Sequence, residues 1–307
     1  MARILGTGIA VLDIVNQVDG YPEEDSEVRA LMQEIRCGGN AANTLTVLSQ
    51  LGHHCHWAGT LGDDPASRVI SDELAAADVR MDCASTVAGG HTPTSYIALN
   101  RRNGSRTIIH YRDLPEYAAA DFRRLDLGNF DWLHFEGRNV PQLAQMLRHA
   151  RIQRPDTPVS LELEKPREGL APLVAQADLL LYSRPYALAQ GAVQALAAHD
   201  VSGAAAAEAF LLGQLALAPA ALHVCSWGEH GAYAIDPTHQ VVHSPAAPPP
   251  RVVDTLGAGD TFNAGMIHAC LAGLSPQDGL RLACRLAGRK VGQHGLLGLA
   301  ETTPPPP

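Results

Sequence analysis

The sequence contains no Cys-x-x-Cys pair, no Gly-x-x-x-x-Gly-Lys-Ser/Thr phosphate loop and no uninterrupted apolar run of about 18 residues, and each absence removes a class of protein. The six cysteines, Cys37, Cys55, Cys83, Cys225, Cys270 and Cys284, lie far apart. Reduced, buried thiols are expected rather than a metal or redox centre. Positive charge is also scarce. Lys and Arg number 23 against 32 Asp and Glu, a formal net charge of −9, which argues against nucleic acid or an anionic membrane as partner. An anionic substrate would need a local positive site. The segment Gly6-Thr7-Gly8-Ile9-Ala10-Val11 lacks the third glycine of the dinucleotide fingerprint, so a nicotinamide dehydrogenase loses support. The start of the chain turns glycine-rich before a signal-peptide core could form, and a cytoplasmic protein is expected.

What is present is ample for an enclosed site: 307 residues, 46% of them hydrophobic and 18% charged. Ile4 to Asp13 reads as a buried strand with Asp13 at its C-terminal end, where open α/β sheets place their ligands. A helix is expected over residues 41–51, a strand from Trp57 to Leu61, and a helix from Asp64 to Ala77 opened by Asp64-Pro65. Between about Asp82 and Tyr111 the pattern becomes extended alternation, with a hairpin signal at Arg101-Arg102-Asn103-Gly104. Together with the acidic stretch from Val18 to Glu34, this predicts a small accessory sheet, a lid built from about 14–36 and 92–112. From Trp132 onward, strands starting near Trp132, Val159, Asp178 and Ala221 alternate with helical stretches. The expected fold is α/β, a three-layer doubly wound and mostly parallel sheet in one domain over 1–307, ending in a frayed tail over 301–307.

Three segments could carry chemistry. In Asp254-Thr255-Leu256-Gly257-Ala258-Gly259-Asp260-Thr261-Phe262, small residues stop as a helical pattern begins. Gly257, Ala258 and Gly259 would present unpaired amides at a helix N-terminus, an anion site, with Asp260 beside it as a base for an attacking hydroxyl. The same residues could instead make a tight turn with Asp260 as its cap. In Gly38-Gly39-Asn40-Ala41-Ala42-Asn43, the two asparagines project from one helix face and suit a polyhydroxylated ligand, or Asn40 is a cap. Ser226-Trp227-Gly228-Glu229-His230-Gly231-Ala232 either approaches nucleotide phosphates or links a hairpin. His53-His54-Cys55-His56 resembles a zinc cluster, but along an extended chain its side chains diverge. Glu162 to Glu168 reads as a solvated strand edge, with Glu164 the residue that could face a nucleotide.

With these motifs in place, the chain resembles the ribokinase-like carbohydrate kinases along nearly its whole length. The Gly-Ala-Gly-Asp motif is shared across that family. Tyr21 to Glu27, Gly104 to Ile108, Glu136 to Asn139, Glu164 to Glu168 and Pro248 to Asn263 are similar to its ketohexokinase (fructokinase) branch. The resemblance implies transfer of the γ-phosphate of ATP, as its Mg2+ complex, to the 1-hydroxyl of a ketose such as fructose. Asp260 would be the base and Gly257, Ala258 and Gly259 the anion hole. Asp13, Gly39, Asn40, Asn43 and Arg106 would hold the sugar, and Trp227, Gly228, Gly231, Pro249 and Phe262 would line the nucleotide pocket. It further implies a homodimer paired through the lid, with Asp25 reaching the other copy's sugar. The Asn-x-x-Glu motif that organises magnesium in many relatives is replaced by Tyr182-Ser183-Arg184-Pro185-Tyr186, and the magnesium ligands stay unassigned. K+ with Asp254 as a ligand is a further expectation. Kinases for another sugar, a sugar acid or a nucleoside, and a catalytically silent sensor, remain alternatives.

Overall fold

The computed structural model describes residues 1–190 and 203–300, so the expected tail over 301–307 lies outside the described residues. The chain runs β1 (Arg3–Thr7), β2 (Val11–Val18), β3 (Met32–Gly38), α1 (Asn40–Gln50), β4 (His54–Ala58), β5 (Thr60–Leu61), α2 (Pro65–Ala76), β6 (Val79–Arg80) and β7 (Ser85–Thr86). It continues through β8 (Thr94–Asn100), β9 (Arg106–Tyr111), α3 (Ala119–Phe122), β10 (Trp132–Glu136), α4 (Val140–Gln153), β11 (Val159–Leu163), β12 (Leu179–Ser183) and α5 (Arg184–Ala189). The last elements are α6 (Ala204–Leu215), β13 (Leu222–Ser226), β14 (Ala232–Ile235), β15 (Val241–Ser244), α7 (Ala258–Leu271) and α8 (Pro276–Val291).

Nine strands form the main sheet in the order β15-β14-β13-β12-β11-β10-β1-β4-β6, parallel from β13 to β6 with an antiparallel β13-β14-β15 edge. Its central strands are apolar on both faces because helices cover both. Successive residues therefore enter opposite cores. Leu5, Leu133 and Leu180 join α4 and α6 on one side, while Ile4, Trp132 and Leu179 join α1, α7 and α8 on the other. The expected doubly wound α/β fold with a separate small sheet is what forms. No helix among the described residues is long and apolar enough to cross a membrane.

Two expected strands are each broken. Ile4 to Asp13 is not continuous: β1 ends at Thr7, and β2 leaves for a second, four-stranded sheet ordered β3-β2-β8-β9. The cause lies at Gly8, where a Cβ would stand 2.5 Å from the Glu136 carboxyl carbon, and at Ile9, whose N–H donates to Glu136 Oε2 at 3.3 Å. Asp13 accordingly belongs to the small sheet and not to the end of a central strand. Trp57 to Leu61 likewise divides at Gly59 into the end of β4 and the short β5. The expected hairpin at Arg101 to Gly104 does join β8 to β9, antiparallel.

Alternation gives the four-stranded sheet two unlike faces. Asp13, paired with Arg36 and Ser95, faces inward, whereas Ile14 pairs with Ile35 and Tyr96, and Tyr96 with Ile109, in one row on the outer face. Ile35, Tyr96 and Ile109 are all exposed.

Between the main sheet and α1, Leu45 is fully buried and lies against Gly6, whose added Cβ would come within 2.7 Å of Leu45 Cδ1. Leu45→Ala is expected to lower stability by about 2–5 kcal/mol through the cavity it leaves, read as a lower urea midpoint at unchanged slope.

Candidate active site

Gly257, at φ +78°, turns the chain into α7, and Gly259 and Asp260 follow in its first turn. Gly257, Gly259 and Asp260 line a cavity of about 770 Å3 between the C-terminal ends of the main strands and the inner face of the four-stranded sheet. Nothing lies within 4 Å of where a Gly259 side chain would project, so the helix N-terminus opens directly to the cavity. The amide of Ala258 reaches the Thr255 carbonyl only at 3.4 Å. This first turn offers amides and the positive end of the helix dipole to an anion. Asp260 is not the cap of α7; it is the third residue of the helix, nearly buried, and its Oδ2 accepts from Asn43 Nδ2 at 2.7 Å.

Asn43 comes from α1, whose first residue is Asn40. Gly39 precedes it at φ +105°, and any Cβ there would collide with the Ile9 carbonyl, so only glycine fits. Asn40 is no cap either. Its Nδ2 donates to Glu162 Oε1 at 3.0 Å and Glu164 Oε2 at 3.2 Å. Capping of α1 is done by Glu136 at the end of β10, whose Oε1 accepts from the Ala41 amide at 2.6 Å. Asn40 and Asn43 thus share one face, as expected, and each holds a carboxylate.

Glu162 corrects the expectation of a solvated edge. It is buried at the end of β11, with Oε1 shared between Asn40 and Asn263 Nδ2, the latter at 3.0 Å from α7. Its Oε2 is buried and has no hydrogen-bond partner among the described residues. Burial pushes its carboxyl well above the usual range, and the neighbouring Asp260, Glu136 and Glu164 carboxylates add to this. Burial likewise raises Asp260 to about 7; the Asn43 hydrogen bond opposes, Glu164 and Glu136 reinforce, and Arg106 opposes. Asp13, on the opposite wall, rises to about 6 through burial, against a Ser95 hydrogen bond and the Arg36 charge.

The segment leading into the anion turn is held from both sides. Arg36 of β3 donates from Nη2 to Asp254 Oδ2 at 3.0 Å, and Arg106 of β9 donates to Thr255 Oγ1 at 2.9 Å. Lys290 of α8 donates to the same Asp254 Oδ2 and to the Asp254 carbonyl, both at 3.0 Å. Burial alone would raise Asp254, but Arg36 and Lys290 outweigh it and hold the carboxyl below its usual range.

The cavity therefore gathers Asp13, Gly39, Asn40, Asn43, Arg106, Gly257, Gly259 and Asp260. Other expected residues lie elsewhere. Trp227 and Phe262 are buried in the two cores, Gly228 and Gly231 shape the β13-β14 hairpin, and Pro249 packs at Gly292. Asp25 is exposed on the loop between β2 and β3 at φ +56° and does not line the cavity. Pro185, Ser226 and Leu296 are among the residues that do line the cavity. Sequence reading missed Glu162 and Asn263 as site residues, and Glu136 as the residue that caps α1. Glu136 and Glu162 each carry the signal of an acidic side chain late in an apolar strand, and Asn263 stands three residues after Asp260. The histidine-rich segment separates as expected: His53 meets His268 at 2.9 Å, and His56 meets Asp82 at 2.8 Å with Cys83 beside it.

A two-sheet α/β frame, a helix N-terminus aimed into a polar cavity and a buried carboxylate beside it define a phosphotransferase-like site. Residues 1–303 match the model of the pfkB family carbohydrate kinases, and the chain belongs to that family of enzymes. It is 40% identical over 305 residues to ketohexokinase of Mus musculus, covering 97% of this chain and 98% of that protein. It is 25% identical over 303 residues to ribokinase of Bacillus subtilis, covering 97% and 96%. In fold it is similar to a putative ribokinase from Agrobacterium tumefaciens, with a TM-score of 0.81 at 21% identity over 96% of this chain and 92% of that one. Arabidopsis thaliana ribokinase, solved with ribose and ATP, matches with a TM-score of 0.74 at 20% identity over 96% and 94%.

The raised Asp260 makes stability depend on pH. Between its ordinary value of 3.8 and about 7, the folded chain keeps a proton that the unfolded chain has released, so stability falls as pH rises through that window. Asp260→Asn keeps the shape but cannot ionise. It is expected to raise the melting temperature near pH 8 by about 3–8 °C and to change it far less near pH 5. An equal effect at both pH values would contradict the assignment.

Proposed function

We propose that this carbohydrate kinase transfers the γ-phosphate of ATP to the 1-hydroxyl of a ketose such as fructose, with Asp260 as general base. The observation that carries the reading is the Asp260 carboxylate, buried in the cavity beside the open turn of α7 and raised to about 7, where a base shares its proton readily at neutral pH. The sugar hydroxyl gives its proton to Asp260 as its oxygen bonds to the γ-phosphorus, and the bond from that phosphorus to the bridging oxygen breaks to release ADP. The Gly257, Ala258 and Gly259 turn balances charge on the transferring group. Asn43 aims the base, and Asp13, Asn40 and Arg106 hold the acceptor together with Gly39. Support for the donor comes from the fold shared with Arabidopsis ribokinase in complex with ribose and ATP. Support for the acceptor comes from the 40% identity to ketohexokinase.

Mg2+ fits the acidic corner. Glu162 Oε2 is buried without a hydrogen-bond partner among the described residues, close to the Asp260 and Glu164 carboxylates. Glu162 of β11 and Glu164 just after it would hold the ion and stand in for the glutamate missing from the neighbouring β12 to α5 segment. When bound, it neutralises charge on the phosphates. The nucleotide lies toward Ser226, backed by the hairpin of Trp227, Gly228 and Gly231 and by Pro249 and Phe262. The enzyme works in the cytoplasm. Its four-stranded sheet serves as the lid of one domain, and the outer row of Ile35, Ile14, Tyr96 and Ile109 pairs two copies. Asp25 extends toward the sugar bound by the second copy.

A coupled ADP-release assay over ketoses, aldoses, sugar acids and nucleosides tests the reading, with fructose expected to be turned over best. Preference for a nucleoside or a sugar acid would move the substrate, and no turnover of any would favour a sensor. Asp260→Asn is expected to lower kcat by about 10² or more while sugar binding persists. Undiminished turnover would remove Asp260 as the base. Tyr96→Arg with Ile109→Arg is expected to convert a dimer to a monomer in size-exclusion chromatography with light scattering.

A further inference from the structure

The fold family and the sequence led to the expectation of K+ at Asp254, and the residues around Asp254 do not fit it. Each of its acceptor oxygens is already used. Oδ1 accepts from the Leu256 amide at 2.9 Å, Oδ2 accepts from Arg36 and Lys290, and the main-chain carbonyl accepts from Lys290. The third proton of the Lys290 ammonium reaches the Gln293 carbonyl at 3.4 Å. An ammonium group in a cage of one carboxylate and two carbonyl oxygens has the charge, and nearly the size, of K+. It is held on the chain instead of drawn from solvent.

Two cations already stand against Asp254. Arg36 and Lys290 each reach its Oδ2 at 3.0 Å, and Arg36 also pairs with Glu34 at 3.4 Å. Asp13 and Glu73 add negative charge around Arg36, but a further cation at Asp254 would meet the repulsion of both bound cations at contact distance. Lysine is seldom fully buried without such a role, and the Lys290 side chain is 0% exposed. Its position matters as well. The Val253 and Asp254 amides both donate to the Val291 carbonyl, at 2.8 and 3.2 Å, so the end of α8 lies alongside the segment that enters Gly257. The ammonium ties these two segments together directly beneath the anion turn.

We infer that the Lys290 ammonium is a built-in replacement for a monovalent cation, and that this chain holds its Gly257–Gly259 turn without K+. Lys290 is a positioning residue in this account, acting through Asp254. The test compares the parent protein in KCl and in choline chloride at equal ionic strength, by melting temperature and by calorimetric affinity for ADP with Mg2+. The parent is expected to be indifferent, with melting temperatures within about 1 °C and affinities within about 2-fold. Lys290→Gly, which vacates the cage, is expected to lose about 5–10 °C and about 10-fold in affinity in choline, and to recover much of both in KCl, ammonium or methylammonium chloride. A parent protein that loses several degrees without K+ overturns the inference, as does a folded Lys290→Gly that no small cation restores. If Lys290→Gly fails to fold in every salt, the parent comparison alone decides. The melting arm uses neither nucleotide nor sugar, so its outcome is separate from whether ATP is the donor.

Discussion

The architecture of the cavity depends on one buried carboxylate that touches no expected ligand position. Glu136 accepts the Ala41 amide with one oxygen and the Ile9 amide with the other. The first bond starts α1 and sets the direction in which Asn40 and Asn43 project. The second stops β1 and diverts the following strand into the four-stranded sheet. Burial raises Glu136 to about 7, opposed by Arg138 and by these two amides, so the main-chain bonds and the helix dipole must offset a large desolvation cost. A glutamine there could donate where Glu136 accepts, and one of the two amides would lose its partner.

From that starting point the site is a set of carboxylates held by amides on one side and by guanidinium groups on the other. Asn43 grips Asp260, and Asn40 and Asn263 grip Glu162. Arg36 and Arg106 carry the small sheet's hold on Asp254 and Thr255. The two sheets therefore communicate through the approach to α7 and not through apolar packing alone. Any shift of β3 or β9 is transmitted to the turn that would bind an anion.

The alternation of apolar runs with helical periodicity was enough to read the doubly wound sheet, because central parallel strands and their crossovers are local patterns. Gly257 to Asp260 was legible for the same reason, since a glycine turn entering a helix needs no distant partner to be recognised. What stayed hidden depended on residues far apart in the chain. The break at Gly8 is imposed by Glu136, 127 positions from Ile9. Glu162 looked like a surface residue because nothing near it in sequence reveals that α1 and α7 cover it. Trp227 and Phe262 were expected on the cavity wall and lie in the cores behind it. A motif locates a backbone, but which side of that backbone faces the cavity is settled by packing.

The pairing of α1 with α7 has a consequence for biosynthesis. Asn43 and Glu162 are made early and midway, but Asp260 and its neighbours come late, and Lys290 later still. All nine strands of the main sheet precede α7 in the chain, so on the ribosome the sheet can form while the acidic corner still lacks the helix that covers it. Glu162, which α7 covers through Asn263, then faces water and can stay ionised. Only when α7 emerges and docks is that charge sealed in, so the step that creates the active site is also the step that desolvates it, and it falls at the end of translation.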